Sequence, residues 1–264
     1  PAVKPCGEKY YEYFLCYVDD ILAISHDPKK IMDYLSDKYT LKDGSVKEPD
    51  TYLGADVGKF DAPDALGPKW YMSSLTYVKR AIADVETELA QVGLVLKKSA
   101  NTPFTNEYRP ELDSTTELDD KRTTYFQGLI GILRWICELG RLDIMVAVSM
   151  LSRYLSCPRE GHLEQALHIF AYLKRHPRSK IVLDADELEL KNTFTTADWA
   201  EYYPGAAEVV PPNAPEIRGQ SVVMTCFVDA DHAGCRETRR SHTGIIIVLN
   251  RAPILWFSKR QNTV

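Results

Sequence analysis

Residues 14–22 have the sequence FLCYVDDIL, in which two adjacent carboxylates, Asp19 and Asp20, separate two apolar runs. The flanking residues 13–18 and 21–24 are apolar, and most are aromatic, aliphatic or β-branched, as is typical of β-strands. Because the Asp pair is the only turn-like element between these runs, we predict a tight antiparallel hairpin. Both carboxylates should be exposed at its tip.

Two adjacent carboxylates repel each other, and a divalent cation relieves that repulsion. Mg²⁺ usually takes one or two protein carboxylates together with phosphate oxygens of a substrate. A pair of such ions stabilises the attacking and leaving oxygens of an in-line phosphoryl transfer. The alternative is a polar turn without a catalytic role, which is the commoner meaning of an isolated Asp-Asp pair.

The rest of the chain alternates between strand-like and helical patterns, which predicts an α+β fold. Asp27 and Pro28 have the residue types of a helix N-cap and first helical residue. Residues 51–57, 222–228, 244–249 and 254–257 have strand-like composition. Apolar residues at helical spacing predict three amphipathic faces after residue 124: Phe126, Leu129, Ile130, Leu133 and Ile136; Ile144, Val148, Leu151 and Leu155; Leu163, Leu167 and Phe170.

Composition excludes several protein classes. The 264 residues are 45% hydrophobic and 26% charged, which is ordinary for a globular protein, and the net charge of −5 excludes a uniformly polybasic chain. No apolar run approaches the roughly 18–20 residues of a membrane-spanning helix. Six cysteines lie far apart without a C-x-x-C pair, so we expect neither a zinc site nor a disulfide framework, and a reducing, intracellular compartment.

Charge is segregated along the chain. Residues 134–180 carry eight Lys/Arg against four Asp/Glu, residues 181–220 carry two against eight, and residues 236–264 carry six against one. One interpretation is two basic surfaces that follow a phosphate backbone. The other is solvated helix faces and an acidic surface loop.

A second carboxylate cluster lies in residues 227–234, with the sequence FVDADHAG. Asp229 and Asp231 are placed at the end of a predicted strand. Clustered carboxylates that hold two metal ions also suit phosphoryl-transfer chemistry. An isolated D-x-D is more commonly a strand-end turn.

Several of these segments together resemble the reverse transcriptase of copia-type LTR retrotransposons. The YVDD hairpin resembles the polymerase palm of that family, and residues 52–57 resemble its primer grip. Residues 71–72 and the following helix resemble the start of the thumb, and residues 125–133, 141–144 and 171–174 follow the order of the thumb and connection. Residues 227–234, 239–244 and 256–261 resemble the first strands of ribonuclease H. The resemblance covers nearly the whole chain.

The resemblance implies a division into five regions: the end of the palm in 1–70, a thumb-like helix and extended connection in 71–124, a helical thumb and connection region in 125–197, an acidic Pro-rich loop in 198–220, and the N-terminal part of an RNase H-like domain in 221–264. It implies RNA-directed DNA polymerisation coupled to cleavage of RNA in a hybrid.

The resemblance also assigns roles to individual residues. Asp19 and Asp20 would be catalytic ligands of Mg²⁺, with Mn²⁺ as an alternative, and Asp229 a catalytic metal ligand of ribonuclease H. Asp231 is a further candidate ligand. Tyr17 and Val18 would lie under the primer end. From the charge pattern, we expect Lys174, Arg175 and Arg178 to contact template–primer phosphate, and a solvated helix end is the alternative.

The implied ligands are an RNA template, a DNA primer, an RNA–DNA hybrid and deoxynucleoside triphosphates. The implied protein partners are the remaining fingers, palm and RNase H segments of the same polyprotein. No association with a membrane is expected. The expected location is the cytoplasm, in virus-like particles, and the nucleus. The family has a third polymerase Asp upstream of the hairpin, whereas residues 1–18 contain no Asp. We therefore expect an internal fragment, and the alternatives to an enzyme are a catalytically dead nucleic-acid-binding remnant and a domesticated structural protein.

Overall fold

A computed structural model describes residues 2–6, 9–61, 67–190, 198–205 and 209–263. The chain forms two compact units. The first comprises Pro1–Glu48 and Asp186–Val223, and the second comprises Pro49–Ala185 and Met224–Val264. The combination of antiparallel sheets and helices agrees with the predicted α+β class.

The first unit contains a three-stranded antiparallel sheet. Its strands are β1 (Ala2–Cys6), β2 (Tyr10–Tyr17) and β3 (Asp20–Ile24), in the order β1–β2–β3. Helix α1 (Pro28–Ser36) follows, and the Asp27 carboxylate accepts a hydrogen bond from the backbone N–H of Lys30 at 3.3 Å. This confirms the predicted N-cap. Residues 198–220, expected to form a loop, contain a short helix at Trp199–Tyr202.

The second unit contains a four-stranded antiparallel sheet. Its strands are β4 (Thr51–Tyr52), β5 (Ala55–Phe60), β6 (Lys69–Ser73) and β7 (Ile181–Leu183), in that order. The single strand predicted at 51–57 is wrong. Leu53 and Gly54 both have positive φ, at 50° and 80°, and form the two-residue turn of a hairpin, as a primed turn requires.

The core of the second unit is helical. Helices α2 (Leu75–Gln91), α3 (Asp120–Glu138), α4 (Met145–Leu151) and α5 (Glu160–Arg175) bury one continuous apolar cluster. The three predicted faces after residue 124 lie in this cluster, with Leu155 and Leu167 partly buried at its edge. The amphipathic pattern therefore identified the buried side of each helix correctly.

Three further strands belong to the second unit. They are β8 (Met224–Ala230), β9 (His242–Leu249) and β10 (Ala252–Arg260), paired antiparallel in the order β10–β9–β8. The predicted strands are confirmed with shifted bounds: β8 begins and ends two residues later than predicted, and β9 and β10 are longer than predicted. Two hydrogen bonds attach this sheet to the helices: Trp256 Nε1 donates to the Cys137 carbonyl at 2.9 Å, and Ser149 Oγ donates to the Ser258 carbonyl at 3.0 Å.

None of the helices in the described ranges combines the length and apolar character needed to span a membrane.

Candidate nucleic-acid and metal-binding sites

The YVDD hairpin is present, with its turn shifted by one residue from the prediction. Strands β2 and β3 pair through Leu15 with Leu22, Cys16 with Ile21, and Tyr17 with Asp20. The two-residue turn is therefore Val18–Asp19, and Asp20 is the first residue of β3. The shift follows from the pairing register, because a turn at Asp19–Asp20 would require Val18 to pair with Ile21.

This register places the two carboxylates in different backbone settings. Asp20 is directly opposite Tyr17, so their side chains share one face of the hairpin. Asp19 lies in the turn, and both carboxylates are exposed. Tyr17 and Val18 are also exposed, at 63% and 86%. The tip therefore presents an aromatic, an aliphatic and two acidic side chains to solvent.

Val18 carries backbone strain at this tip. Its φ is 55°, in the left-handed region that β-branched residues rarely adopt. Such a conformation costs on the order of 1–3 kcal/mol and is retained only when the surrounding pairing enforces it. The hairpin pairing on both sides of the turn is what enforces it here.

The tip of the hairpin presents two carboxylates, Asp19 and Asp20, as possible ligands of a cation. Among the described residues, no group of three or more His, Cys, Asp or Glu side chains is arranged to hold a metal ion. Two exposed carboxylates nevertheless suit Mg²⁺, which keeps several water or phosphate oxygens as ligands. The donor set at Asp19 and Asp20 thus fits the predicted ion in ligand type.

Asp229 is exposed near the end of β8. Its cross-strand neighbour on β9 is Gly244, where an added Cβ would meet no atom within 4 Å. The space beside the Asp229 carboxylate is therefore open. Metal binding at this position stays a prediction.

The Asp231 carboxylate is engaged by its own loop. One oxygen accepts a hydrogen bond from the His242 backbone N–H at 2.6 Å, and the Asp231 N–H donates to the His242 carbonyl at 3.0 Å. The other oxygen lies so close to Gly234 that a Cβ there would overlap it. Asp231 therefore holds the connection between β8 and β9, and its role as a metal ligand stays a prediction.

The three predicted phosphate-binding residues differ in their surroundings. Lys174, at the end of α5, forms an ion pair with Glu86 at 2.5 Å. Arg175 and Arg178 are exposed. Lys180 follows them and lies 4.2 Å from the centre of the Tyr71 ring. At this end of α5, the basic residues that could contact phosphate are therefore those that follow Lys174.

The sequence did not identify a buried thiol beside the second cluster. Cys235 is 3% exposed, and its Sγ lies 3.6 Å from Arg153 Nη2. Burial raises the pKa of this thiol, but interactions with Thr238 and Arg153 outweigh burial and lower it to about 7. No local sequence signal could reveal this contact, because Arg153 lies far from Cys235 in the chain.

A second missed feature is the buried guanidinium of Arg141. It is 1% exposed and donates two hydrogen bonds to Asp143, at 2.9 and 2.8 Å. Tyr172 Oη donates to the same carboxylate at 2.9 Å. Burial raises the pKa of Asp143, but these hydrogen bonds and the Arg141 charge hold it below its ordinary value. The network fixes the connection from α3 to α4 and contacts α5.

Comparison with known proteins supplies the wider context. The chain is 27% identical over 96% of its length to the Retrovirus-related Pol polyprotein from transposon RE1 of Arabidopsis thaliana. It is 27% identical over 94% of its length to the Putative transposon Ty5-1 protein YCL074W of Saccharomyces cerevisiae, and 23% identical over 99% to the Pol polyprotein from transposon TNT 1-94 of Nicotiana tabacum. Its homologues are copia-type retrotransposon Pol polyproteins.

The aligned region is a small part of the two plant polyproteins and about two thirds of the yeast protein. It spans 14% of the RE1 protein and 17% of the TNT 1-94 protein, and 66% of the shorter Ty5-1 protein. No family model and no solved structure matches the chain. The predicted relationship to copia-type elements is thereby confirmed, whereas the palm and RNase H folds stay predictions.

Proposed function

We propose that this chain is the part of a copia-type Pol polyprotein that contains the end of the reverse transcriptase palm, the thumb and connection, and the first strands of ribonuclease H. The observation that carries the proposal is the exposed Tyr17–Asp20 hairpin tip, in a chain that aligns with Pol polyproteins over nearly its whole length. The parent activity is RNA-directed DNA polymerisation on a template–primer.

In this proposal the hairpin residues have separate roles. Asp19 and Asp20 hold Mg²⁺, which when bound neutralises charge on the phosphates of an incoming nucleotide. Tyr17 and Val18 form the exposed apolar surface beneath the primer end. The strained turn fixes Asp19 relative to Asp20, because the strand pairing leaves Val18 little freedom to move.

The second unit contributes binding surface. Arg175 and Arg178 contact template–primer phosphates, and Asp229 is a metal ligand of the RNase H-like part. The open space beside Gly244 supports an accessible carboxylate there. Phosphate contacts from Lys and Arg fix the position of a nucleic acid without reading its sequence, as a polymerase requires.

Metal binding at the hairpin tests the palm assignment directly. Mn²⁺ broadens NMR signals of nearby nuclei, so titration should broaden the backbone signals of residues 17–20 first. The Asp19→Asn, Asp20→Asn double variant should lose this broadening. A control with the same loss of charge, Asp33→Asn with Asp37→Asn in and beside α1, should keep it. Equal broadening in both double variants would contradict the assignment.

The alternative is a nucleic-acid-binding remnant without catalytic capacity. The sequence flanking this chain in its source distinguishes the two. An open frame that supplies an upstream strand with Asp and the further RNase H acids supports the enzyme, and stop codons in those flanks support the remnant.

A further inference from the structure

A cleft of about 310 Å³ lies in the second unit, and its lining includes no residue from the basic end of α5. One side is the segment around residues 107–115, which connects α2 to α3. The other side is Arg236, in the loop between β8 and β9. Arg109 and Arg236 thus reach the same cleft from distant parts of the sequence.

The loop that carries Arg236 is held by several specific contacts. Buried Cys235 contacts Arg153, the Arg239 N–H donates to the Cys235 carbonyl at 2.8 Å, and the Cys235 N–H donates to the Arg240 carbonyl at 3.2 Å. A side chain presented by such a loop loses less conformational freedom on binding than one on a mobile segment.

One hydrogen bond brings the two sides of the cleft together. The backbone N–H of Arg236 donates to Glu111 Oε1 at 3.0 Å. Glu111 lies in the 3-10 turn Pro110–Leu112, which begins directly after Arg109. This bond therefore sets the position of Arg236 relative to Arg109.

The lining of the cleft contains two arginines and two carboxylates, and the two arginines are the groups that can contact an anion. Arg109 and Arg236 are exposed, and neither forms an ion pair among the described residues. Asp113 also lines the cleft, but it accepts hydrogen bonds from the hydroxyls of Tyr108 and Thr115. Glu107 is the remaining carboxylate of the lining and is exposed to solvent.

We infer that Arg109 and Arg236 bind the phosphodiester backbone of a nucleic-acid strand. This inference rests on the proposed nucleic-acid function and adds a second binding surface to it. Guanidinium groups suit phosphate because their planar donors match its oxygens. The loop follows β8 directly, so a strand bound in the cleft lies at the end of the sheet that carries Asp229.

The test is binding of a fluorescent RNA–DNA hybrid by anisotropy at several salt concentrations. The Arg109→Ala, Arg236→Ala double variant should reduce the slope of log affinity against log salt by about two, because each phosphate that is no longer neutralised lowers the slope by about one. The matched control is Lys79→Ala with Arg80→Ala on α2, which removes the same charge from another surface and should leave the slope nearly unchanged. A charge-retaining Arg109→Lys, Arg236→Lys variant should recover most of the slope.

The outcomes separate the inference from the function on which it rests. If the unmodified chain fails to bind the hybrid, the nucleic-acid function itself is contradicted. If it binds, and the arginine variant behaves like the α2 control, only the cleft assignment is wrong. Inorganic phosphate at constant ionic strength should displace the hybrid weakly, and complete displacement at low millimolar phosphate would identify a small-anion site instead.

Discussion

The imidazole of His162 links the start of α5 to the connection between α2 and α3, and its removal should be among the most destabilising single changes in the chain. The side chain is 1% exposed. Its Nδ1 accepts a hydrogen bond from the Arg159 backbone N–H at 3.0 Å, which requires Nδ1 to be unprotonated. Nε2 therefore carries the proton and donates to the Pro110 carbonyl at 3.0 Å. The ring also stacks on Tyr154, with centroids 4.1 Å apart.

His162→Ala removes both hydrogen bonds and leaves a cavity. Each buried backbone group left without a partner costs about 1–3 kcal/mol. Because the ring packing is removed as well, we expect the free energy of unfolding to fall by about 3–5 kcal/mol. His162→Gln is the informative comparison, because Gln at this third helical position can accept from the N-cap N–H. Compared with His162→Ala, the His162→Gln variant should regain about 1–2 kcal/mol of unfolding free energy, because one buried hydrogen bond is restored.

The same geometry predicts a pH dependence. Burial lowers the pKa of His162 below its ordinary value, an effect partly opposed by the Pro110 hydrogen bond and by Asp113, while Arg159 adds to it. Below about pH 6.5 the unfolded chain binds a proton that the folded chain refuses, so stability falls as the pH falls toward the folded pKa. Above about pH 7, His162 should contribute nothing to the dependence of the free energy of unfolding on pH.

Urea unfolding followed by circular dichroism at pH 7.5, 6.0 and 5.0 measures both effects. Burial also lowers the pKa of His168 and His242, so the quantity to compare is the difference in pH slope between the unmodified chain and His162→Gln. One buried polar group left without a partner costs at least about 1 kcal/mol. A smaller loss of stability in His162→Ala would therefore refute the hydrogen-bond argument. An unchanged slope in His162→Gln would refute the pH argument.

Three further outcomes follow from the sites. Val18→Gly should stabilise the hairpin by about 1 kcal/mol by removing the positive-φ strain, measured as slower amide exchange in β2 and β3; faster exchange would contradict this. Arg175→Ala with Arg178→Ala should lower the salt slope of hybrid binding by about two, and adding Lys174→Ala should change it little, because Lys174 is paired with Glu86. The chain alone should not extend a primer with Mg²⁺, and incorporation abolished by Asp19→Asn would show this to be wrong.

The sequence predicted elements whose stabilising contacts are local. The helical faces follow from apolar periodicity, and the hairpin follows from two strand-like runs joined by a short turn. The turn position escaped prediction because Asp is a better turn residue than Val, yet the register of Leu15 with Leu22 places Val18 in the turn. Pairing over the whole hairpin outweighs the preference of a single residue.

Strands β6 and β7 could not be predicted from local pattern. Strand β7 has three residues, Ile181–Leu183, and exists because it pairs with β6 from a distant part of the chain. The deciding contact involves residues far apart in sequence, so a window of neighbouring residues carries no information about it.

The candidate functional residues show the same limit. Asp19, Asp20 and Asp229 were predicted because the motifs that resemble the family are contiguous in the sequence. The cleft formed by Arg109 and Arg236 depends on one hydrogen bond between Arg236 and Glu111, and nothing in either segment indicates the other. Such sites become visible only when the fold has placed the segments together.

The structure also changes the meaning of the basic segment 134–180. Arg141 and Arg153 serve buried or partly buried contacts, Arg159 pairs with Glu117 at 2.8 Å, and Lys174 pairs with Glu86. Half of the eight basic residues in this segment are therefore engaged within the fold. A count along the sequence overstates the phosphate-binding surface of this segment. The remaining exposed basic residues of this segment are Arg134 and those after Lys174, and Arg236 is a further exposed arginine in the loop between β8 and β9. The two double arginine variants therefore test the phosphate-binding surface more directly than the charge count does.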